Sequence, residues 1–383
     1  MRIPFSQPSI GEEEIAEVVD CLRSGWITTG PRTAQFEREF AAAHGAAHAL
    51  AVGSATAGLH LAMLALDLQP GDEVITTPLT WPATVNAIVL AGGEPVLVDV
   101  EPETLNIDAS AIARAVTPRT RAVVPVHFAG QPCDVDAIAA AAGPRVAIIE
   151  DAAHAVGAAY RERAVGALGT AAVFSFHPIK NMTTGEGGMV TTGNAALAER
   201  LKLLRFHGVE RDAWRAYGTV QLPLYDVALP GLKYNLTDIQ SAIGLHQLRK
   251  LPALNAERAR LAARYDAALQ DLPALRPLAR APYPCTHVHH LYVVRLALEA
   301  VALDRNAFMA EVMAAGVGLG LHFTAVHELS YYRRRLGDLR AALPAATDAS
   351  RRLFSLPLYP GLSDADQDRV VDVLAKVAEN ARP

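Results

Sequence analysis

Apolar residues in the first half of the chain fall into short unbroken runs, and the stretches between them carry apolar positions at helical spacing. "AHALAVGS" (47–54), "GDEVITTPLTW" (71–81), "EPVLVDV" (94–100), "TRAVVPVHFAG" (120–130) and "RVAIIEDAAH" (145–154) read as strands with the loops that leave them. "ATAGLHLAMLAL", "PATVNAIVLAGG" and "DVDAIAAAAG" read as helices between them, the second ended by glycine. Strands that are apolar throughout and separated by helices imply a parallel sheet covered on both faces. Ligands of such sheets sit outside the carboxyl ends of the strands. The loops to search therefore begin near Ser54, Pro78, His127, Asp151 and His177.

After Asn235 the pattern changes. Residues 237–272 form one long helical tract interrupted by Pro252, with Thr237 as its N-cap. "HHLYVVRLAL" (289–298) reads as a strand, "RNAFMAEVMAAG" (305–316) as a helix, "VGLGLHF" (317–323) as another strand, and residues 364–380 as an amphipathic closing helix. The expected division is a large α/β unit over 1–250, whose N-terminal segment packs on the second unit, and a smaller C-terminal α+β unit over 251–383.

Composition narrows the function classes. A chain of 383 residues, 51% hydrophobic and 20% charged, is ordinary for a globular enzyme with a large core. A net charge of −5 and a pI near 6.2 give no basic footprint for nucleic acid and no polybasic membrane surface. Arg333, Arg334 and Arg335 cluster only as a solvated helix end would. Cys21, Cys133 and Cys285 match no metal-ligand spacing and read as reduced thiols, so no metal is expected. The first residues lack a charged start followed by an apolar core, and no apolar run approaches the roughly 18 residues of a membrane span. A cytoplasmic enzyme without membrane insertion is the expectation.

Three loops carry candidate chemistry. "VGSATAGLH" (52–60) opens a helix with small residues and hydroxyls, so its backbone amides with Ser54 and Thr56 would form a phosphate site or an ordinary N-cap. In "AIIEDAAHAVG" (147–157) two acids end a buried strand, and Asp151 could cap a helix, bind a metal or hold a cation, with His154 almost one helical turn beyond it. Lys180 follows at the next strand end in "FSFHPIKNMTTGEGG" (174–188), where partial desolvation lowers an amine's pKa and makes it nucleophilic. An amine for a carbonyl, a carboxylate for a protonated ring nitrogen and a helix N-terminus for a phosphate together describe a pyridoxal 5′-phosphate site. Trp81 could stack on the ring, and the Ser175 hydroxyl could reach the phosphate.

The stretches "SGWITTGP" (24–31), "GSATAGLHLA" (53–62), "GDEVITTPLTW", "IIEDAAHAVG", "FSFHPIKNMTTGEGG", "KYNLTDIQSAIGLHQL" (233–248) and "SLPLYPGLSDAD" (355–366) resemble, in order, the DegT/DnrJ/EryC1/StrS sugar aminotransferases. The resemblance implies the fold-type-I architecture of aspartate aminotransferase: a large, mainly parallel-sheet domain with a smaller α+β domain. It implies that Lys180 condenses with the cofactor's aldehyde, Asp151 pairs with the pyridinium nitrogen and Trp81 stacks on the ring. Ser54, Ala55, Thr56 and Ser175 would serve the phosphate, with His154 near the ring hydroxyl. It further implies a homodimer with shared active sites, the loop 225–236 crossing the interface so that Asn235 reaches the neighbouring cofactor's phosphate. L-glutamate would be the donor, leaving as 2-oxoglutarate, and a nucleotide-linked 4-keto sugar the acceptor. Within the family, "RSGWITTGP", "FHGVERDAW" (206–214), "LPGLKYNL" (229–236) and "GVGLGLHFTAVHELSYY" (316–332) are similar to the enzymes that form UDP-4-amino-4-deoxy-L-arabinose for lipid A, which implies Thr29 and His322 at a sugar pocket. "TTGEGG" after the lysine instead resembles the broader family, whose acceptors include NDP-4-keto-6-deoxyhexoses. Relatives that dehydrate the sugar carry histidine in place of the lysine, and Lys180 is retained.

Overall fold

Seven strands of the first half assemble into one sheet. In the computed structural model, which describes residues 2–210 and 225–382, they are β1 (His48–Val52), β2 (Glu73–Thr76), β3 (Glu94–Leu97), β4 (Thr120–Val124), β5 (Ala147–Asp151), β6 (Ala171–Ser175) and β7 (Gly188–Thr192). The order across the sheet is β1-β7-β6-β5-β4-β2-β3. Pairs β2–β3, β2–β4, β4–β5 and β5–β6 are parallel, but β7 runs antiparallel to both β6 and β1. The sheet is therefore mainly parallel, with one reversed strand where the short turn after Lys180 leaves no room for a crossover helix. Residues 211–214 of the "FHGVERDAW" stretch lie outside the described residues.

Helices cover both faces. Among them are α1 (Pro31–Ala43), α2 (Ala55–Ala65), α3 (Pro82–Leu90) and α4 (Val135–Ala142). Val52, Leu61, Val173 and Val190 form one wholly enclosed layer between α2 and the sheet. On the other face Phe36 and Phe40 of α1 meet Phe174 and Phe176 edge-on or tilted, with ring centroids 5.1 to 5.6 Å apart.

The long helix α5 (Asp238–Ala268) ties this sheet to the C-terminal part of the chain. Thr237 is its N-cap, closed by a reciprocal box in which Gln240 N–H donates to the Thr237 hydroxyl and Thr237 N–H donates to Gln240 Oε1. Pro252 does not interrupt it, contrary to the sequence reading: it lies on the exposed face, while Leu248, Leu251 and Leu254 are buried on the other. A proline inside a helix costs about 3 kcal/mol, and burying several leucines at about 2 kcal/mol each offsets that. Beyond α5, strands β8 (Leu275–Pro277), β9 (Tyr292–Leu296) and β10 (Leu353–Leu356) pair antiparallel. They pack with α6 (Arg305–Ala314), α7 (Asp364–Asn380) and Ile3 around Tyr265, Phe308, Phe354 and Leu374.

The stretch 317–323 is not a strand. It makes single bridges, Ile3 to Val317 and Gly320 to Ser355. Backbone from the N-terminal segment presses on Gly318, where a Cβ would stand 2.7 Å from Phe5 N, and the chain threads past instead of laddering.

Candidate active site

One close approach draws several of the expected residues together. At the carboxyl edge of the sheet, Gly188 pairs with Ser175 on one side and with Val52 on the other. A Cβ on Gly188 would lie 2.7 Å from Ala55 N, Ser54 C and Phe174 O, three backbone atoms that cannot yield as side chains do. Only glycine lets β7 bring Ser175 against the start of α2. There Ser54 is the N-cap, its hydroxyl accepting from Ala57 N–H at 3.0 Å. The amides of Ala55 and Thr56 belong to the first turn, where no intrahelical acceptor exists, and Thr56 is exposed. These amides, the helix dipole and the Ser54 and Ser175 hydroxyls are a donor set for a phosphate.

Asp151 ends β5 beside this edge, and the segment after it is not the expected helix. Two turns follow, Ala155 N–H to Ala152 O and Ala158 N–H to Ala155 O, and Gly157 at φ 80° prevents a helix from continuing. Asp151 instead caps the first turn, Oδ1 accepting from Ala153 N–H at 3.1 Å, while Oδ2 accepts from the Thr84 hydroxyl of α3 at 2.7 Å. Thr84 Oγ1 is in turn 2.7 Å from Thr80 Oγ1. Burial pushes the Asp151 carboxyl upward, against the Thr84 and Ala153 bonds and the charge of Lys180.

Lys180 is the charge facing it. Its backbone N–H donates to His177 O in the turn that leaves β6. Burial pulls the Lys180 amine down to about 8, with Asp151 opposing. Behind the pair, His127 is held on both ring nitrogens: Cys133 N–H donates to Nδ1 at 3.0 Å, and Nε2 lies 2.8 Å from Glu150 Oε2. A nitrogen that accepts carries no proton, so His127 is the neutral Nε2–H tautomer donating to Glu150.

An aromatic wall borders these groups. Trp81 is the N-cap residue of α3, 65% exposed, and therefore offers a free face beside the strand ends. Its ring is 6.4 Å from Phe323, which is nearly parallel to His154 at 5.8 Å, and His154 lies 4.4 Å from His290. Burial, then Lys180 and His322, hold His154 well below the usual imidazole range. His322 bonds through Nδ1 to the Ser355 hydroxyl at 2.9 Å, and burial with Lys180 pulls it down to about 3. Thr29 and Asn235 form a separate corner: Asn235 Nδ2 donates to Thr29 Oγ1, Thr29 donates to Leu236 O, and Asn235 bridges to Val52 just before the phosphate-type loop.

These residues fit a cofactor with an aldehyde, a basic ring nitrogen and a phosphate. A buried carboxylate and a depressed lysine face each other without a hydrogen bond between them, a costly arrangement that a protonated ring nitrogen would balance. His154 Nδ1, enclosed and without a partner among the described residues, remains to be satisfied. Thr84, Phe323 and His290 also belong to the site, and the sequence reading missed them. Thr84 was legible, one helical turn past Trp81 on the same helix; Phe323 and His290 come from the C-terminal part and carry no local signal.

The model of the DegT/DnrJ/EryC1/StrS aminotransferase family matches residues 8–375. The chain is similar to a putative sugar aminotransferase from Streptococcus pneumoniae, Spr1654, solved in its PMP form, with 34% identity, 99% of each chain covered and a TM-score of 0.92. The PLP form of that protein matches at 33% identity, 99% coverage of each chain and a TM-score of 0.91. Helicobacter pylori PseC, an aminotransferase involved in the biosynthesis of pseudoaminic acid, matches at 29% identity over 99% of this chain and 100% of its own, with a TM-score of 0.91.

Proposed function

From the premise that the chain belongs to the DegT/DnrJ/EryC1/StrS aminotransferase family, and is thus a pyridoxal 5′-phosphate-dependent sugar aminotransferase, we propose that it aminates C4 of a nucleotide-linked 4-keto sugar with L-glutamate as donor. The observation that carries the reading is the opposition of Lys180 and Asp151 across the mouth of the sheet, with the lysine amine lowered to about 8. When bound, the cofactor supplies an electron sink that lets a proton leave the amine-bearing carbon.

The chain's own groups do the rest. Asp151, oriented by Thr84 and Ala153, would keep the ring nitrogen charged. Ser54, Ala55, Thr56 and Ser175 would hold the phosphate, Asn235 would reach the phosphate of the neighbouring subunit in a homodimer, Trp81 would cover one face of the ring, and His154 would lie near the ring hydroxyl. Lys180 Nζ is the acid–base group. With a pKa near 8, about a tenth of it is free amine at pH 7, against about one part in several thousand for an ordinary lysine. It can therefore take a proton from the donor's carbon and return it at the next position.

The acceptor we propose is UDP-4-keto-pentose, giving UDP-4-amino-4-deoxy-L-arabinose, with Thr29 and His322 at the sugar. The "RSGWITTGP" and "GVGLGLHFTAVHELSYY" stretches support it. Two experiments test these readings. Borohydride reduction followed by peptide mapping is expected to label Lys180, and label on another residue would sink the mechanism. Comparing kcat/KM for UDP-4-keto-pentose and an NDP-4-keto-6-deoxyhexose with glutamate decides the sugar: the pentose is expected to lead, and a lead for the hexose overturns that choice alone. Among the described residues no helix is long and apolar enough to cross a membrane.

A further inference from the structure

His290, 2% exposed, precedes β9 and places Nε2 3.4 Å from Lys180 Nζ. We propose that His290 is a positioning residue that holds the Lys180 amine whenever it is not bonded to cofactor, exchanging donor for acceptor as the amine gains or loses its proton.

The other ring nitrogen makes the exchange possible. Nδ1 of His290 is enclosed and has no partner among the described residues. His127 shows the contrary design: with Cys133 on Nδ1 and Glu150 on Nε2, its tautomer is locked. An imidazole with one free nitrogen can place its proton on either. When Lys180 is an ammonium, it donates to a bare Nε2 and the ring proton sits on Nδ1. When Lys180 is an amine, Nε2–H donates to the amine lone pair and Nδ1 is bare. The ring itself is held still. The buried Arg258 of α5 donates to the carbonyls of His290 at 3.2 Å and Leu358 at 2.9 Å, which fixes the backbone behind the imidazole.

The surrounding charges keep the ring neutral, as such a partner must be. Burial, then Lys180, His154, Arg258 and His322 hold His290 well below the usual imidazole range. Facing the lysine are Asp151 from the end of β5, His154 from the turn after it, His290, and His322 from the 317–323 stretch. The first alone carries negative charge, and burial keeps the three histidines neutral. A bond from an ammonium to a neutral nitrogen is the stronger of the two arrangements. His290 therefore raises the lysine's proton affinity modestly, in the opposite sense to burial.

The test uses the full-length enzyme in its pyridoxamine phosphate form, where the lysine is free, and the same chain after cofactor removal. Trace acetylation with acetic anhydride, mapped by mass spectrometry, gives the pH midpoint of Lys180 reactivity. His290→Leu is expected to lower that midpoint by about one unit, while His290→Gln, which can accept or donate, stays near the native value. An unmoved midpoint in His290→Leu, or an equal fall in both variants, overturns the proposal. If the leucine variant does not fold, 15N spectra of the native ring decide. A change of tautomer with the same midpoint as Lys180 supports the proposal, and one tautomer throughout pH 6–10 overturns it. The inference deepens the transaminase reading, yet its failure is distinguishable. Borohydride label away from Lys180 would sink that reading and leave the linked titration of the two side chains standing.

Discussion

Replacing Thr84 by valine removes one hydroxyl from the site and almost no volume. That hydroxyl donates to Asp151 Oδ2 at 2.7 Å, and both residues are buried, at 1% and 5% exposure. A hydrogen bond to a charged group contributes about 1.5–3 kcal/mol, so its loss shifts the balance between carboxylate and carboxylic acid by roughly ten- to a hundredfold. The sign follows from the donor. An O–H favours the ionised form, so without it Asp151, already raised by burial, rises by a further one to two units. As pH falls, the variant therefore loses the negative charge opposite the ring nitrogen earlier than the native enzyme does. Equilibrium dialysis of pyridoxal phosphate against full-length Thr84→Val is expected to show binding weaker by about tenfold or more, with a larger deficit at pH 6 than at pH 9. Thr84→Ser, which keeps the donor, should bind almost as the native chain does. Native affinity in the valine variant across that range, or a serine variant as weak as valine, would refute the role assigned to this hydroxyl.

Gly188→Ala forces a Cβ to within 2.7 Å of three backbone atoms. It is expected to cost about 1–3 kcal/mol in a melting experiment and to weaken phosphate and cofactor binding by separating Ser175 from α2. Asp151→Asn should keep the melting temperature within a few degrees while kcat/KM falls by at least about a hundredfold, and a variant with near-native turnover would count against the charge at that position. Acid should destabilise the fold through its buried imidazoles. Burial holds His44 and His289 at about 4, so between pH 6.5 and 4 the unfolded chain binds protons that the folded chain refuses, and stability is lost as pH falls through that window. Each contributes up to about 3 kcal/mol. Urea midpoints at pH 7, 5.5 and 4.5 should therefore fall steeply, and less steeply in His44→Phe.

Legibility along the chain followed locality. The strands of the sheet other than β7, the N-cap at Thr237 and the trio of Lys180, Asp151 and the Ser54 loop could be read because each rests on neighbours within a few residues. Strand β7 could not, since Gly188 and the two threonines, Thr191 and Thr192, leave no apolar run to mark it. The helix expected after Asp151 failed because a carboxylate that caps a helix also caps a turn, and only Gly157 distinguishes the two. Pro252 was misjudged for the opposite reason: its local cost is real, but it is outweighed by leucines on the far side of the same helix. His290 and Phe323 reach Lys180 and Trp81 across more than a hundred residues of chain, a distance no pattern of spacing encodes.

Helix α5 acts as a ruler. Along its 31 residues it places Gln247 against the N-terminal segment, Asn255 against Asn181, Arg258 behind His290 and Asp266 against Tyr292. Because each residue turns the helix by about 100°, adding one between Gln247 and Asn255 would rotate every later mark out of register at once. The site would lose its lysine support and the second core its anchor together. Evolution of this chain can change the loops at either end of that helix far more freely than its length.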